Sequence, residues 1–261
     1  MTLVLPDLPD TVRVEIAGSA ATITLTNPDQ LNAVDGPMLD GVIAALEALA
    51  AAPEVRVIAL TGAGRGFCSG AGLPDDGEGD LAPTLYAGGR LVSALLACPT
   101  PTVALVNGVA AGIGVPIAVA CDYLLASEAA SFVLAFAKIA LVPDGGSTAL
   151  LAASIGRTRA MRLALTGEKL PARTAAEWGL VSECVPAEEF PQRSAEVVAQ
   201  LAGSAPLGVA ATTRAINAAT LDLEPVLARE EADQVRLLAS ADFREGVDAF
   251  RGRRSPEFRG A

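Results

Sequence analysis

The residue types in this sequence leave few groups for acid-base chemistry. Its 261 residues include no histidine, which excludes Ser-His-Asp and Cys-His catalytic systems, histidine-ligated zinc and imidazole proton shuttles. The four cysteines are widely spaced and form no C-x-x-C pair, so no redox or zinc motif is present. Carboxylates, Lys, Tyr or Cys must do any proton transfer, and the cysteine pattern fits a reducing, cytoplasmic location.

One aspartate, Asp144, stands between Pro143 and Gly145 at the expected start of a helix. Aspartate is a preferred capping residue at a helix N-terminus, so a cap alone explains this position. A cap and a catalytic group do not exclude one another, and both roles stay open at this point.

Two glycine-rich turns offer a way to stabilise negative charge without a titratable group. The turns Gly70-Ala71-Gly72 and Gly112-Ile113-Gly114 each free a backbone N–H. Two such donors in one pocket form an oxyanion hole. From composition alone, two ordinary tight turns remain the simpler interpretation.

Two other motifs near these turns do not carry chemistry. Gly62-x-Gly64-x-Gly66 follows a strand but lacks the third glycine and the helix of a dinucleotide-binding loop, so we interpret it as a tight turn. Cys68 lies in the outline of a nucleophile elbow. Without a histidine base, Cys68 is predicted to be a buried packing residue.

The elements that position these residues alternate between strands and helices. We predict a hairpin from Val12 to Thr26, a helix capped by Asp35 and stopped by Pro53, and a strand from Arg56 to Thr61. The later elements are predicted as a loop Gly62–Gly72, a solvated excursion Pro74–Asp80, a helix Ala82–Ala97, a strand Thr102–Val106, a helix Gly112–Ala120 and a strand Tyr123–Ala126.

After Pro143 the pattern is helical to Ala239, with only Leu180–Val185 extended. We therefore expect an α/β core over residues 1–190 that holds the site, and an all-helical region over residues 191–261. The net charge of −11 and the pI near 4.5 argue against a nucleic-acid partner or an anionic membrane surface. The apolar stretch Val109–Cys121 is too short to span a bilayer.

Six blocks occur in an order and spacing that can be compared with known families. They are Asn32-Ala33, Thr61–Gly70, Asn107–Gly114, Cys121-Asp122, Leu141–Gly146 and Leu165–Val181. On these blocks the chain resembles the crotonase (enoyl-CoA hydratase/isomerase) superfamily over nearly its whole length. In Phe132–Gly146 and Ser240–Phe250 it is most similar to the isomerases of phenylacetate catabolism, which convert a ring-epoxide acyl-CoA to an oxepin acyl-CoA and shift enoyl-CoA double bonds.

The resemblance implies a spiral of ββα turns with a helical C-terminal region that forms a trimer or a dimer of trimers. It implies an acyl-CoA substrate, no separate cofactor or metal, and an oxyanion hole made by the N–H groups of Ala71 and Ile113. It also makes Asp144 the catalytic residue. The substrate contacts that it implies are Leu31, Ala33, Ser69, Gly72, Leu73, Phe136 and Leu141.

The chain departs from the hydratases of the superfamily at two positions. Pro116 and Phe136 stand where those enzymes have the glutamates that activate water, and neither side chain can accept a proton. We therefore expect an isomerase that acts through a thioester enolate. Two alternatives stay open: a hydratase in which Asp144 alone polarises water, and an acyl-CoA binding protein without activity.

Five arginines lie in the last 18 residues of an otherwise acidic chain. A solvated helix end accounts for them, since basic residues favour the helix C-terminus. The resemblance instead implies that Arg253 and Arg254 meet the phosphates of CoA. Both interpretations remain open.

Overall fold

The computed structural model describes residues 4–72 and 81–260. Its strands are β1 Val12–Ala17, β2 Ala20–Leu25, β3 Val57–Gly62, β4 Gly66–Cys68, β5 Thr102–Val106, β6 Val109–Ala111, β7 Tyr123–Ser127, β8 Ser131–Val133, β9 Lys169–Pro171 and β10 Glu183–Val185. Its α-helices are α1 Gly36–Ala50, α2 Ala82–Ala97, α3 Gly114–Val119, α4 Ser147–Thr166, α5 Ala172–Trp178, α6 Phe190–Ala202, α7 Pro206–Thr220, α8 Leu223–Leu238 and α9 Ala241–Arg251. A short 3₁₀ helix also spans Ala135–Ile139.

The strands form two sheets with the orders β1-β2-β3-β5-β7-β10 and β4-β6-β8-β9. Strands β3, β5 and β7 are parallel neighbours in the first sheet, while β4, β6 and β8 are parallel neighbours in the second. Each turn of the chain therefore adds one strand to each sheet, and a helix follows the first two of these turns. This is the predicted spiral of ββα turns, and the chain from α6 onward is helical as expected.

The spiral fixes where a site can form. Because β4, β6 and β8 are parallel, their carboxyl ends lie at the same edge of the second sheet. The segments that leave these ends contain Ala71, Ile113 and the 3₁₀ helix. Residues more than 60 positions apart in sequence are thereby brought to one place.

Several element predictions are confirmed. The hairpin pairs Val12 with Leu25, and the Asp35 side chain caps α1 by accepting a 2.8 Å hydrogen bond from the Met38 N–H. Helix α2 has the predicted bounds, and the helical pattern predicted after Pro143 continues through α4, which contains a break at Gly156, with a φ of 76°. Cys68 is buried in β4, and desolvation raises its pKa to about 12, so it is a packing residue.

Other predictions were wrong in detail. The segment Gly62–Gly72 is not all loop, since it contains β4. The helix predicted over Gly112–Ala120 spans only Gly114–Val119, and the short strand β6 that precedes it was not predicted. Strand β9 adds a second extended segment after Pro143. The predicted excursion Pro74–Asp80 lies outside the described residues.

Candidate active site

A cavity of about 390 Å³ lies at the edge where β4, β6 and β8 end. Leu81, Thr84 and Leu85 of the α2 region form one wall, and the 3₁₀ helix forms another. Gln234, Leu238 and Phe250 reach the cavity from α8 and α9. Most of the lining is apolar, so a mainly hydrophobic group fits this space.

Two glycine turns meet at the floor of the cavity. Gly70 has a φ of 103° and Gly112 a φ of 52°, a region of backbone conformation that favours glycine. A Cβ atom on Gly70 would lie 3.2 Å from the Ala111 carbonyl oxygen and 3.7 Å from the Gly112 Cα. The two backbones therefore touch, and Ala71 and Ile113 both line the cavity next to this contact.

The N–H groups of Ala71 and Ile113 donate to no acceptor within the described part of the chain. On either side of Ala71, the Val34 N–H donates to the Gly70 carbonyl and the Gly72 N–H donates to the Val34 carbonyl, each at 2.9 Å. Ile113 precedes the first residue of α3, where N–H groups have no intrahelical acceptor. Two unused donors on one cavity can stabilise an anionic oxygen.

Among the described residues that line the cavity, Asp144 is the only one with a carboxylate. Its side chain is buried, with the residue 8% exposed. The Oδ2 atom accepts a 3.1 Å hydrogen bond from Gln234 Nε2, whereas Oδ1 has no partner among the described groups. Burial and the nearby charge of Glu230 raise the pKa of Asp144 to about 7, against the opposing effect of the Gln234 hydrogen bond. A carboxyl with this pKa can both accept and return a proton near neutral pH.

Asp144 does not cap a helix, which corrects the capping interpretation. Helix α4 begins at Ser147, and the backbone carbonyl of Asp144, not its side chain, accepts from the Ser147 N–H and Oγ. The cap comes from Glu230 of α8, which accepts from the Gly146 N–H at 2.6 Å and from the Thr148 N–H at 3.0 Å. The Asp144 carboxylate is therefore left for the cavity.

The remaining sequence-predicted contacts divide into three groups. Leu31 is not part of the cavity lining, and its carbonyl accepts a 3.0 Å hydrogen bond from the Ser69 N–H. Leu73 lies outside the described residues. The predicted contacts that do line the cavity are Ala33, Ser69, Gly72, Phe136 and Leu141.

The two positions that replace the hydratase glutamates are apolar and buried. Phe136 lines the cavity from the 3₁₀ helix, while Pro116 lies on α3, packed next to Gly145. Phe132 of β8, four residues before Phe136, lies in the core. Neither Pro116 nor Phe136 can activate a water molecule.

Sequence reasoning missed the polar residues that α8 contributes to the site. Glu230 and Gln234 are both buried and lie on the same helix face as buried Leu227. Two polar residues in an apolar stripe at helical spacing were the available signal. Lys138, an exposed cation on the cavity wall, was also missed.

The predicted phosphate-binding arginines lie at the end of α9. Arg254 forms an exposed ion pair with Glu245 through two hydrogen bonds, of 2.5 Å and 2.8 Å. Arg253 is exposed, and its side chain has no partner among the residues described. Their contact with CoA stays a prediction.

Comparison with known proteins identifies relatives of this chain along nearly its full length. A family model described as enoyl-CoA hydratase/isomerase matches residues 15–261. A probable enoyl-CoA hydratase of Rhodobacter capsulatus is 41% identical over 254 residues, which cover 96% of this chain and 98% of that protein. The 1,2-epoxyphenylacetyl-CoA isomerase of Escherichia coli is 39% identical over 250 residues, with coverage of 92% and 94%.

Solved structures agree with this relationship. The crystal structure of an enoyl-CoA hydratase from Mycobacterium avium subsp. paratuberculosis has a TM-score of 0.91 and 46% identity. The match covers 97% of this chain and 100% of that chain. No helix in the described ranges is both long and apolar enough to cross a membrane.

Proposed function

This chain belongs to the enoyl-CoA hydratase/isomerase family, the crotonase superfamily, whose members act on CoA thioesters, and we propose that it is an acyl-CoA isomerase. The proposed reaction moves a double bond, or rearranges a ring epoxide, through an enolate of the thioester. It needs no cofactor beyond the CoA of the substrate.

In the proposed reaction, the thioester oxygen accepts hydrogen bonds from the N–H groups of Ala71 and Ile113. These donors favour the enolate that forms when a proton leaves the α-carbon, because negative charge then builds up on that oxygen. Asp144 accepts this proton as the electrons of the C–H bond enter the enolate. It then returns the proton to the γ-carbon, which completes the shift of the double bond.

One observation supports isomerisation most strongly: the cavity has the carboxyl group of Asp144, while apolar residues stand at both positions where the hydratases have glutamates. Asp144 has a pKa of about 7 and lines the cavity. Pro116 and Phe136 provide no second base that could activate water while Asp144 protonates carbon. A single carboxyl is sufficient for isomerisation because the proton that it takes is the proton that it gives back.

Hydration is the second candidate, because relatives of comparable similarity carry the name enoyl-CoA hydratase. In that reaction Asp144 alone would polarise the water. Assays of the purified protein with a 2-enoyl-CoA and a 3-enoyl-CoA separate the candidates. We expect migration of the double bond with little water addition. Efficient hydration of crotonyl-CoA would contradict the proposal, and binding without turnover would identify an acyl-CoA binding protein.

The proposal extends to assembly and location. Leu207 and Ile216 of α7 are 86% and 57% exposed, and such apolar surface suits an interface between copies. We propose a homotrimer or a dimer of trimers, built through the region 191–261. All four cysteines are free thiols, which supports a cytoplasmic location.

A further inference from the structure

Two buried polar side chains of α8 form hydrogen bonds with the segment that contains Asp144. Glu230 and Gln234 are 4% and 3% exposed, and their separation of four residues places them on one helix face. Glu230 binds the N–H groups of Gly146 and Thr148, and Gln234 binds the Val142 N–H and the Asp144 carboxylate. Burying such groups is costly unless they are bonded, so this pairing holds the loop on both sides of Asp144.

The Val142 N–H fixes the orientation of the Gln234 amide. A backbone N–H can only donate, so the atom that faces it at 3.2 Å must be the amide oxygen. The amide nitrogen is thereby turned toward Asp144 Oδ2, to which it donates at 3.1 Å. A proton on Oδ2 would compete with this N–H for the lone pairs of the oxygen and weaken the hydrogen bond.

We propose that Gln234 is a positioning residue that directs the transferred proton to Oδ1 of Asp144. This inference rests on the proposed function, in which Asp144 moves the proton between carbons. Oδ1 is the carboxyl oxygen that has no hydrogen-bond partner in the described structure. With Oδ2 held by the amide, one oxygen takes the proton from the α-carbon and returns it to the γ-carbon. No rotation of the carboxyl group intervenes.

Two charged side chains share this environment in the described structure. Glu230 on α8 places a negative charge near Asp144, and Lys138 on the 3₁₀ helix lines the same cavity. The donor of Gln234 favours the ionised Asp144, whereas Glu230 opposes it. Removing the amide donor and removing the Glu230 charge must therefore change the proton affinity of Asp144 in opposite directions.

The experiment measures the titration of Asp144 directly. The carboxyl carbons of aspartate are labelled with ¹³C, and the Asp144 signal is identified by its loss in Asp144→Asn. Titration curves are recorded for the wild type, Gln234→Leu, Gln234→Glu and Glu230→Gln. Gln234→Glu keeps an acceptor for Val142, removes the amide donor and adds a carboxyl group beside Asp144, so it serves as a second variant if the leucine variant folds poorly. Gln192→Leu, on the exposed face of α6, is the matched control.

We expect the titration midpoint of Asp144 to rise by about one pH unit in Gln234→Leu, because a hydrogen bond to a charged group is lost. It should rise further in Gln234→Glu, fall in Glu230→Gln and stay unchanged in Gln192→Leu. The pH at which kcat/KM rises should shift in the same direction as the midpoint in each variant. In Gln234→Leu, kcat for the 3-enoyl-CoA should fall about tenfold with little change in KM.

A midpoint that is the same in the wild type and both Gln234 variants would overturn the inference. A separate result tests the proposed function. If the midpoints shift as expected but the wild type isomerises no enoyl-CoA, the proposed reaction is wrong, while the control of Asp144 by Gln234 stands.

Discussion

Asp144→Asn is predicted to make the free energy of unfolding less dependent on pH between pH 5 and pH 8. Burial and the charge of Glu230 raise the pKa of Asp144 from 3.8 to about 7. Between these two values the folded protein holds a proton that the unfolded chain has lost. The free energy of unfolding of the wild type therefore falls as the pH rises from about 4 to about 7, and it stays low above that.

The size of the effect follows from the two pKa values. With a folded pKa of about 7 and an unfolded pKa of about 3.9, Asp144 lowers the free energy of unfolding by about 2.5 kcal/mol between pH 5 and pH 8. Asparagine does not titrate, so the variant lacks this loss. Its side-chain oxygen can still accept the hydrogen bond from Gln234. Burying the new amide nitrogen costs about 1–3 kcal/mol, but this cost is the same at both pH values.

Urea unfolding of both proteins at pH 5 and pH 8 measures this difference. Glu230 is present in both proteins, so its own pH dependence largely cancels. Asp35→Asn makes the same chemical change at the exposed cap of α1 and serves as the control. If the wild type and Asp144→Asn lose equal stability between the two pH values, Asp144 does not have the raised pKa on which the proposed proton transfer depends.

Two further predictions concern the oxyanion hole and the CoA phosphates. Gly70→Ala should lower kcat by about 10²–10³-fold. Gly70 has a φ of 103°, and the new Cβ would lie 3.2 Å from the Ala111 carbonyl oxygen, so the backbone and the adjacent Ala71 N–H must move. The control Gly18→Ala, at a φ of 62° with no atom near the new Cβ, should leave kcat unchanged. Equal kcat values in the two variants would argue against the Ala71 N–H as an oxyanion-hole donor. Arg253→Gln should lower the affinity for acyl-CoA, and the affinity that remains should fall less as the salt concentration rises, which titration calorimetry at two salt concentrations can measure. Unaltered affinity would show that Arg253 does not contact the CoA phosphates.

The sequence predicted the parts of the fold that local patterns determine. The hairpin β1–β2 and the helix capped by Asp35 follow from period-two and period-3.6 patterns and from a local cap. The strands β4, β6, β8 and β9 have three residues each, too short for any period to appear. They exist because pairing in the second sheet holds them, and that pairing joins distant segments.

The residues of the candidate site also differ in whether a local sequence pattern predicts them. The two donor turns and Asp144 were predictable because they lie in contiguous motifs. Glu230 and Gln234 were not, since their contacts with Gly146 and Asp144 span more than 80 residues. The capping interpretation of Asp144 failed for this reason: a carboxylate from α8 takes the cap, and only the folded chain brings it there.

The turnover of a 3-enoyl-CoA by Asp144→Asn tests the central claim most directly. Asparagine preserves the volume of the side chain and removes the proton acceptor, while the donors Ala71 and Ile113 are untouched. Turnover should therefore drop by about 10²–10⁴-fold, with the affinity for a saturated acyl-CoA nearly unchanged. An asparagine variant that isomerises the substrate at close to the wild-type rate would contradict proton transfer by Asp144.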